Sequence, residues 1–307
     1  MIVRPKDSQS IVTLLFALRG SIIPVIWPQV LYTVLLSIAI VIAEHWGFAL
    51  QFSPNPAYLT LLGLTLAIFL GFRNTVAYQR WWDGRALWGD LIIASRDLAR
   101  QTLNFMPDLP QPQRRQLLYD IIAFVQALRH HLRGTAADED LQVWLQPAAC
   151  ARVLTASNRP NAVLAAMGED YVRCARDSGL DNMLLCAMDK QISHLSRVLG
   201  SCERIRNTPI PFAYILLLHR TVHIYCFILP FCLISSLGWF TPIAVGILAY
   251  TFFGLDAIGT QIEDPFDLLP NDLPLDALSR TIEINLREML GESELPAPLE
   301  PKDDVLT

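Results

Sequence analysis

The sequence predicts an all-α membrane protein with four spanning helices and a helical cytosolic domain, and three observations carry that prediction. Of the 307 residues, 52% are hydrophobic and only 17% charged, against about 25% charged in an ordinary soluble domain. The charge deficit is concentrated in residues 22–43, 57–77, 212–235 and 237–256, each near the roughly 20 apolar residues that a membrane-crossing helix needs. The cations are as unevenly spread: 17 of the 24 Lys and Arg lie in 73–210, and none lies in 44–56 or 236–241. Short cytoplasmic flanks carry the Lys/Arg excess, so this bias places 73–210 and both termini in the cytoplasm. An even number of spans returns both ends to one side. Sustained period-two alternation is absent, so a strand-rich fold is not expected.

The N-terminal apolar run, residues 11–18, is short, is closed by Arg19 and lacks a small-residue cleavage motif. It is expected to be a retained segment, an interfacial helix, rather than a signal peptide. Span one covers about 22–43, with Pro24 and Pro28 near its start and Trp27 and Trp46 suited to the two interfaces. A short outer loop, 47–56, carries Pro54 and Pro56. Span two begins near Ala57 and is uncharged through Phe72, after which come Arg73, Arg80, Trp81, Trp82, Asp83 and Arg85 without an intervening Pro. One helix is therefore expected to leave an apolar environment and continue into water. Its uncharged part covers only about 24 Å, so the span must use part of 73–82 or sit inside a protein bundle.

Residues 84–106 read as an amphipathic helix, with Leu87, Leu91, Ala94 and Leu98 set against Asp90, Arg96, Asp97 and Arg100. A Pro-rich turn at 106–113 precedes helices expected at 114–133, 138–156, 161–178 and 181–205, with breaks at Asn158-Arg159-Pro160 and Ser178-Gly179. Span three, about 212–235, carries His219, Arg220 and His223, and Pro230 is a kink candidate. A tight turn at 237–242 leads to span four, 241–255. Thirteen of the 29 acids lie in 256–307, a solvated tail expected to be disordered from about 292. The domain organisation expected is 1–77 (N-terminal segment and spans one and two), 78–210 (cytosolic helices), 211–257 (spans three and four) and 258–307 (acidic cytosolic tail).

Span two has two separable faces. Gly63, Ala67 and Gly71 recur every four residues, a small-residue spacing that lets helices approach closely in membranes. Leu64, Ile68 and Phe72 form a second stripe about 100° round. It suits either lipid contact or rings around a pore, where an apolar constriction gates by dewetting. The Arg/Trp-rich run 73–89 is joined to a span, so it reads as an interfacial anchor and not as a nucleic-acid surface. His219, Arg220 and His223 are ionisable groups inside an apolar stretch and thus functional candidates. Two His at i, i+4 are too few for a metal site, and Arg220 is expected to pair with an acid such as Asp256. Glu263, Asp264 and Asp267 offer oxygen ligands for Ca²⁺, and equally caps or ion-pair partners. The His130-His131 pair and His194 read as packed or solvated. The six Cys lack a CxxC pair and read as buried apolar residues. No nucleophile elbow or phosphate loop occurs. The alternatives to a channel are a membrane-embedded enzyme around His219, Arg220 and His223, and a non-conducting scaffold or sensor.

Three segments resemble the bestrophin family: GFRNTVAYQRWWDGRALWG (71–89), CERIRNTPIPFAY (202–214) and IEDPFDLLPNDLP (262–274). Together with the four apolar stretches and the large inner loop, the resemblance extends over about residues 1–290 and is nearest to bacterial members. It implies a homopentameric channel in a bacterial inner (plasma) membrane, passing small inorganic ions, chloride or small cations such as sodium, through one central pore. It implies no cofactor, no catalytic residue and no nucleic-acid partner; the partners are membrane lipid and further copies of the chain. Carried over by position, the hydrophobic neck falls on Leu64, Ile68 and Phe72, and the cytosolic aperture on Met183. Asp181 beside Met183 is a candidate for favouring cations. The Ca²⁺-gated relatives carry a run of acids after Pro-Phe, where this chain has Asp267-Leu268-Leu269-Pro270-Asn271-Asp272. Ca²⁺ gating through that segment is therefore not expected.

Overall fold

The structure, a computed structural model, describes residues 20–47, 56–302 and 304–307. The expected N-terminal interfacial helix and, apart from Gly47 and Pro56, the outer loop lie outside the described residues. Within them the fold is helical: α1 (Ile23–His45), α2 (Pro56–Phe105), α3 (Gln111–Arg133), α4 (Asp138–Trp144), α5 (Pro147–Leu154), α6 (Arg159–Asp177), α7 (Asn182–Asn207), α8 (Phe212–Leu237), α9 (Thr241–Glu263) and α10 (Leu275–Met289). A single 3-10 turn, Gly238–Phe240, joins α8 to α9. It follows from Gly238, whose φ of +50° is one that side-chain-bearing residues rarely adopt.

Three stretches are long and apolar enough to cross a membrane: Ile23–His45, Ala57–Phe105 and Phe212–Glu263, the last holding both α8 and α9. The expected junction helix is present in full, since α2 runs 50 residues, about 75 Å at 1.5 Å per residue. No Pro occurs inside it after its first position, so no carbonyl of its ladder loses its donor.

Two compact units divide the chain. One takes the described residues up to Trp81 together with Pro209–Pro265. Its core is Leu59, Leu66 and Leu70 from α2, Leu218, Val222, Cys226 and Leu229 from α8, and Val245, Ala249 and Phe253 from α9. The other unit takes Trp82–Thr208 and Phe266–Thr307, with Trp88, Leu91, Leu98, Leu118, Ile121, Phe124, Met167, Leu199 and Leu286 fully or almost fully buried.

Two expectations for the second unit are corrected. The single helix expected over 138–156 is two short ones. Pro147 has no N–H to donate and forces Gln146 into an extended conformation, φ −62° and ψ 148°. The end from 292 onward is not free chain. Glu292 accepts from Arg287 Nε at 2.7 Å and from the Tyr119 hydroxyl at 2.8 Å, and pairs with Arg115 at 3.0 Å. The Ala277 N–H donates to the Thr307 carbonyl at 2.9 Å. Composition alone had no means of registering these ion pairs.

Asp120 on α3 is 3% exposed. Its Oδ1 accepts from Gln116 Nε2 at 2.8 Å, while Oδ2 has no partner among the described residues. Burial pushes its carboxyl up to about 7, with the Gln116 hydrogen bond opposing. The folded chain thus keeps a proton that the unfolded chain releases near pH 4, so stability falls as pH rises between those two values. Asp120→Asn should remove that slope. We expect it to stabilise the full-length protein by about 1–3 kcal/mol at pH 8 and to change nothing at pH 4, read as thermal midpoints in detergent. An equal midpoint difference at both pH values would contradict the assignment.

Candidate functional site

The membrane-side residues of α2 divide its circumference by function. Leu59, Leu66, Leu70, Arg73 and Ala77 are buried against the chain's own helices. At 100° per residue these positions centre roughly opposite Leu64, Ile68 and Phe72, which are 59%, 49% and 63% exposed. The apolar stripe picked out by spacing therefore points away from the protomer's core. The small-residue stripe lies between the two and is itself divided. A Cβ on Gly63 would come within 2.9 Å of the Tyr225 hydroxyl, whereas one on Gly71 would meet nothing within 4 Å. Ala67 is exposed like Gly71. Within the chain, close packing is thus realised at Gly63 alone.

Immediately after Phe72 the character of α2 changes. The Arg73 side chain is fully buried, with Nη1 2.6 Å from Asp256 Oδ1 and Nη2 donating to Thr260 Oγ1 at 2.7 Å. Glu263 Oε2 lies 3.7 Å from the same guanidinium, and its Oε1 accepts the Ile210 N–H at 3.1 Å. The Arg80 Nε donates to the Glu263 carbonyl at 2.9 Å, and its Nη2 lies 3.7 Å from Asp264 Oδ1. A cation buried in an apolar layer is tolerable only when paired and hydrogen-bonded, and α9 supplies that pairing from Asp256, Thr260 and Glu263.

The expected Arg220–Asp256 pair is corrected by this arrangement. Asp256 is taken by Arg73 and, on its other oxygen, by His219 Nδ1 at 2.8 Å. Arg220 is exposed; it is next to His219 in sequence and so about 100° round α8 from it. His223 Nδ1 contacts the His219 carbonyl at 2.8 Å, with the two rings 4.4 Å apart. No group of three or more His, Cys, Asp or Glu able to hold a metal occurs among the described residues. In the post-span segment Asp272 Oδ2 accepts the Leu269 N–H at 2.6 Å, closing its own turn.

In the other unit, Met183 sits on the first turn of α7 and is 81% exposed. Asp181 is the N-cap: its Oδ1 accepts the Met183 N–H at 2.7 Å. That bond satisfies one of the orphan donors of a helix start and suits an anion to the helix dipole. Asp181 thereby fixes the backbone of the residue expected to form the aperture.

The sequence missed Arg73 as the centre of the charge network. The signal available was an Arg and an Asp each inside an apolar segment, but the two are 183 residues apart, and proximity in sequence favoured Arg220.

Comparison with known proteins identifies the family to which the chain is similar. The family model described as Bacterial/Fungal Bestrophin protein matches residues 1–288. The voltage-dependent anion channel-forming protein YneE of Escherichia coli K12 is 40% identical over 301 residues, 98% of each chain. A voltage-dependent anion channel-forming protein of Mesorhizobium japonicum is 40% identical over 294 residues, covering 95% of this chain and 93% of that one. A crystal structure of a bacterial bestrophin homolog from Klebsiella pneumoniae superposes with a TM-score of 0.84 at 38% identity, covering 88% of this chain and 100% of that one.

Proposed function

The chain belongs to the bacterial and fungal bestrophin family, and on that premise we propose that it is an ion channel in which five copies surround one central pore. Each copy contributes four spans, α1, the first part of α2, α8 and α9. The observation that carries the reading is the exposed apolar stripe of α2. Leu64, Ile68 and Phe72 turn away from the protomer's own core on a helix whose opposite face is filled. Repeated around an axis, the stripe gives three stacked apolar rings, a neck whose wetting controls passage. Ala67 and Gly71, open within the chain, then let adjacent copies approach closely. Met183 narrows the cytosolic exit, held there by the Asp181 cap. The Lys/Arg distribution supports both termini being cytoplasmic, and apolar helical spans suit an inner (plasma) membrane location.

Ions move passively down their gradient. The proposed class is small monovalent anions such as chloride, because the relatives that align over nearly the whole chain are named anion channel-forming proteins. Uncharged rings discriminate poorly by sign, so selectivity is left to charges on the approaches.

The test is ion flux from liposomes that contain only this protein, followed by reversal potentials in planar bilayers under asymmetric NaCl and KCl. Wild-type flux with anion-selective reversal is expected, and liposomes as tight as protein-free ones would refute the channel reading. Asp181→Asn serves as an internal control on the aperture. Asn caps a helix as well as Asp, so the variant keeps Met183 in place and removes one charge per subunit. A shift toward anions in that variant assigns Asp181 a direct electrostatic effect; no shift leaves it a positioning residue.

A further inference from the structure

The cytosolic helix α7 carries a second longitudinal stripe that the neck and aperture do not account for. Met183, Cys186, Lys190, Ser193, Arg197 and Arg204 follow one another at spacings of three or four residues, apart from one gap of seven, and every one of them is exposed. Such spacing keeps side chains on one face, drifting only about 20° per heptad. The opposite face, Met188, Leu195, Leu199 and Cys202, is buried in the unit's core.

Three cations therefore stand in a row on the face that begins with Met183. Lys190, Arg197 and Arg204 are each seven residues apart, about 10.5 Å along the axis, close to one Debye length at 0.1 M salt. Their potentials overlap along the row. No acid interrupts the stripe; Asp189 lies to its side, and Glu203 is engaged elsewhere with His131 and Asn158 at 3.0 and 2.7 Å. None of the three cationic side chains makes an ion pair or hydrogen bond among the described residues. Other cations of the same unit are spent. Arg129 and Arg133 share Asp276 at 3.0 and 2.7 Å, and Arg159 pairs with Asp138 at 3.1 Å.

We propose that this stripe lines the cytosolic part of the conduction path and that Lys190, Arg197 and Arg204 set its preference for small inorganic anions. The proposal rests on the channel reading, because it takes Met183 as one boundary of the path. Repeated in each subunit, the row raises the local concentration of anions and lowers that of cations without a tight binding site. That suits a pore whose neck is uncharged, since a like-signed vestibule focuses counter-ions by its field alone. Loss of two of the three cations removes most of that field and leaves the buried face of α7 untouched.

Two measurements on the reconstituted full-length protein test this. Lys190→Gln with Arg197→Gln should still conduct, with the anion-to-cation permeability ratio lowered about threefold or more. The native thiol gives an independent reading, because Cys186 is the exposed one of the six cysteines and the other five are buried. Modification by a negatively charged sulfonatoethyl methanethiosulfonate should reduce anion current. The positively charged trimethylammonium reagent should preserve or raise it, and Cys186→Ser should abolish both responses. A wild-type protein that conducts while the double variant keeps its reversal potential, or while the two reagents act alike, overturns the stripe assignment and leaves the channel reading intact. A wild-type protein that passes no ions overturns both.

Discussion

Replacing Arg73 with leucine while leaving Asp256 in place should destabilise the full-length protein by about 3–5 kcal/mol. The expected readout is a large fall of the thermal midpoint in detergent and loss of the monodisperse folded species. The magnitude follows from where the charges lie. The Arg73 side chain is fully buried and that of Asp256 is 8% exposed, so the substitution strands a carboxylate in an apolar layer with His219 as its remaining side-chain partner. Removing both charges is a different experiment. Arg73→Leu with Asp256→Leu leaves no unpaired ion, and the double variant should recover most of the lost stability, because an apolar pair of similar volume often replaces a buried ion pair at little cost. The non-additivity is the signature. Arg73→Lys should behave more like the leucine variant than like wild type. Nη1 and Nη2 reach Asp256 and Thr260 at the same time, and an ammonium on a single stem does not reproduce that fork. Should Arg73→Leu melt with the wild type, the network is not a determinant of the apolar unit's stability.

The way this network forms explains what could and could not be read from the chain. Helix type and apolar boundaries are local properties, and the run from Ala57 into the Arg/Trp segment was legible because no Pro or Gly pair breaks it. The orientation of that helix was half legible. Spacing separates Leu64, Ile68 and Phe72 from Gly63, Ala67 and Gly71, but spacing does not say which face the protomer covers. Burial decides that, and it depends on where α8 and α9 pack. The pairing of Arg73 with Asp256 is a long-range choice between two candidate cations for one acid. Charge and hydropathy are identical in both alternatives, so only the packed helices distinguish Arg73 from Arg220. The docked tail was hidden for a related reason: Glu292 looks solvated until Arg287, Arg115 and Tyr119 are brought beside it. The division of α5 from α4 was legible in principle, since Pro147 sits in mid-pattern with an extended residue required before it.

Shortening the neck should have the largest effect on transport. Leu64→Ala with Ile68→Ala is expected to raise single-channel conductance about tenfold, which a barrier drop of about 1.4 kcal/mol supplies. The cost of passage through an apolar constriction lies in stripping water from the ion where no polar group replaces it, and a wider ring admits that water. The protomer tolerates the change because both side chains are about half or more exposed in it, so their truncation opens no cavity in its core. Phe69→Ala is the matched control. Phe69 is one residue from Ile68 and hence about 100° round the helix, with its ring edge-on to Tyr214 at 6.4 Å, so its loss should leave conductance unchanged. Gly63→Ala tests the other face: a methyl group placed 2.9 Å from the Tyr225 hydroxyl should lower the melting temperature while leaving the open-channel current of folded protein as it was. Unchanged current in the Leu64/Ile68 variant, with folded protein confirmed by its elution profile, would remove the neck from these residues. Increased current in Phe69→Ala would instead move the lining face round the helix. The three variants together locate the lining face on α2 to within about one residue's rotation, 100°.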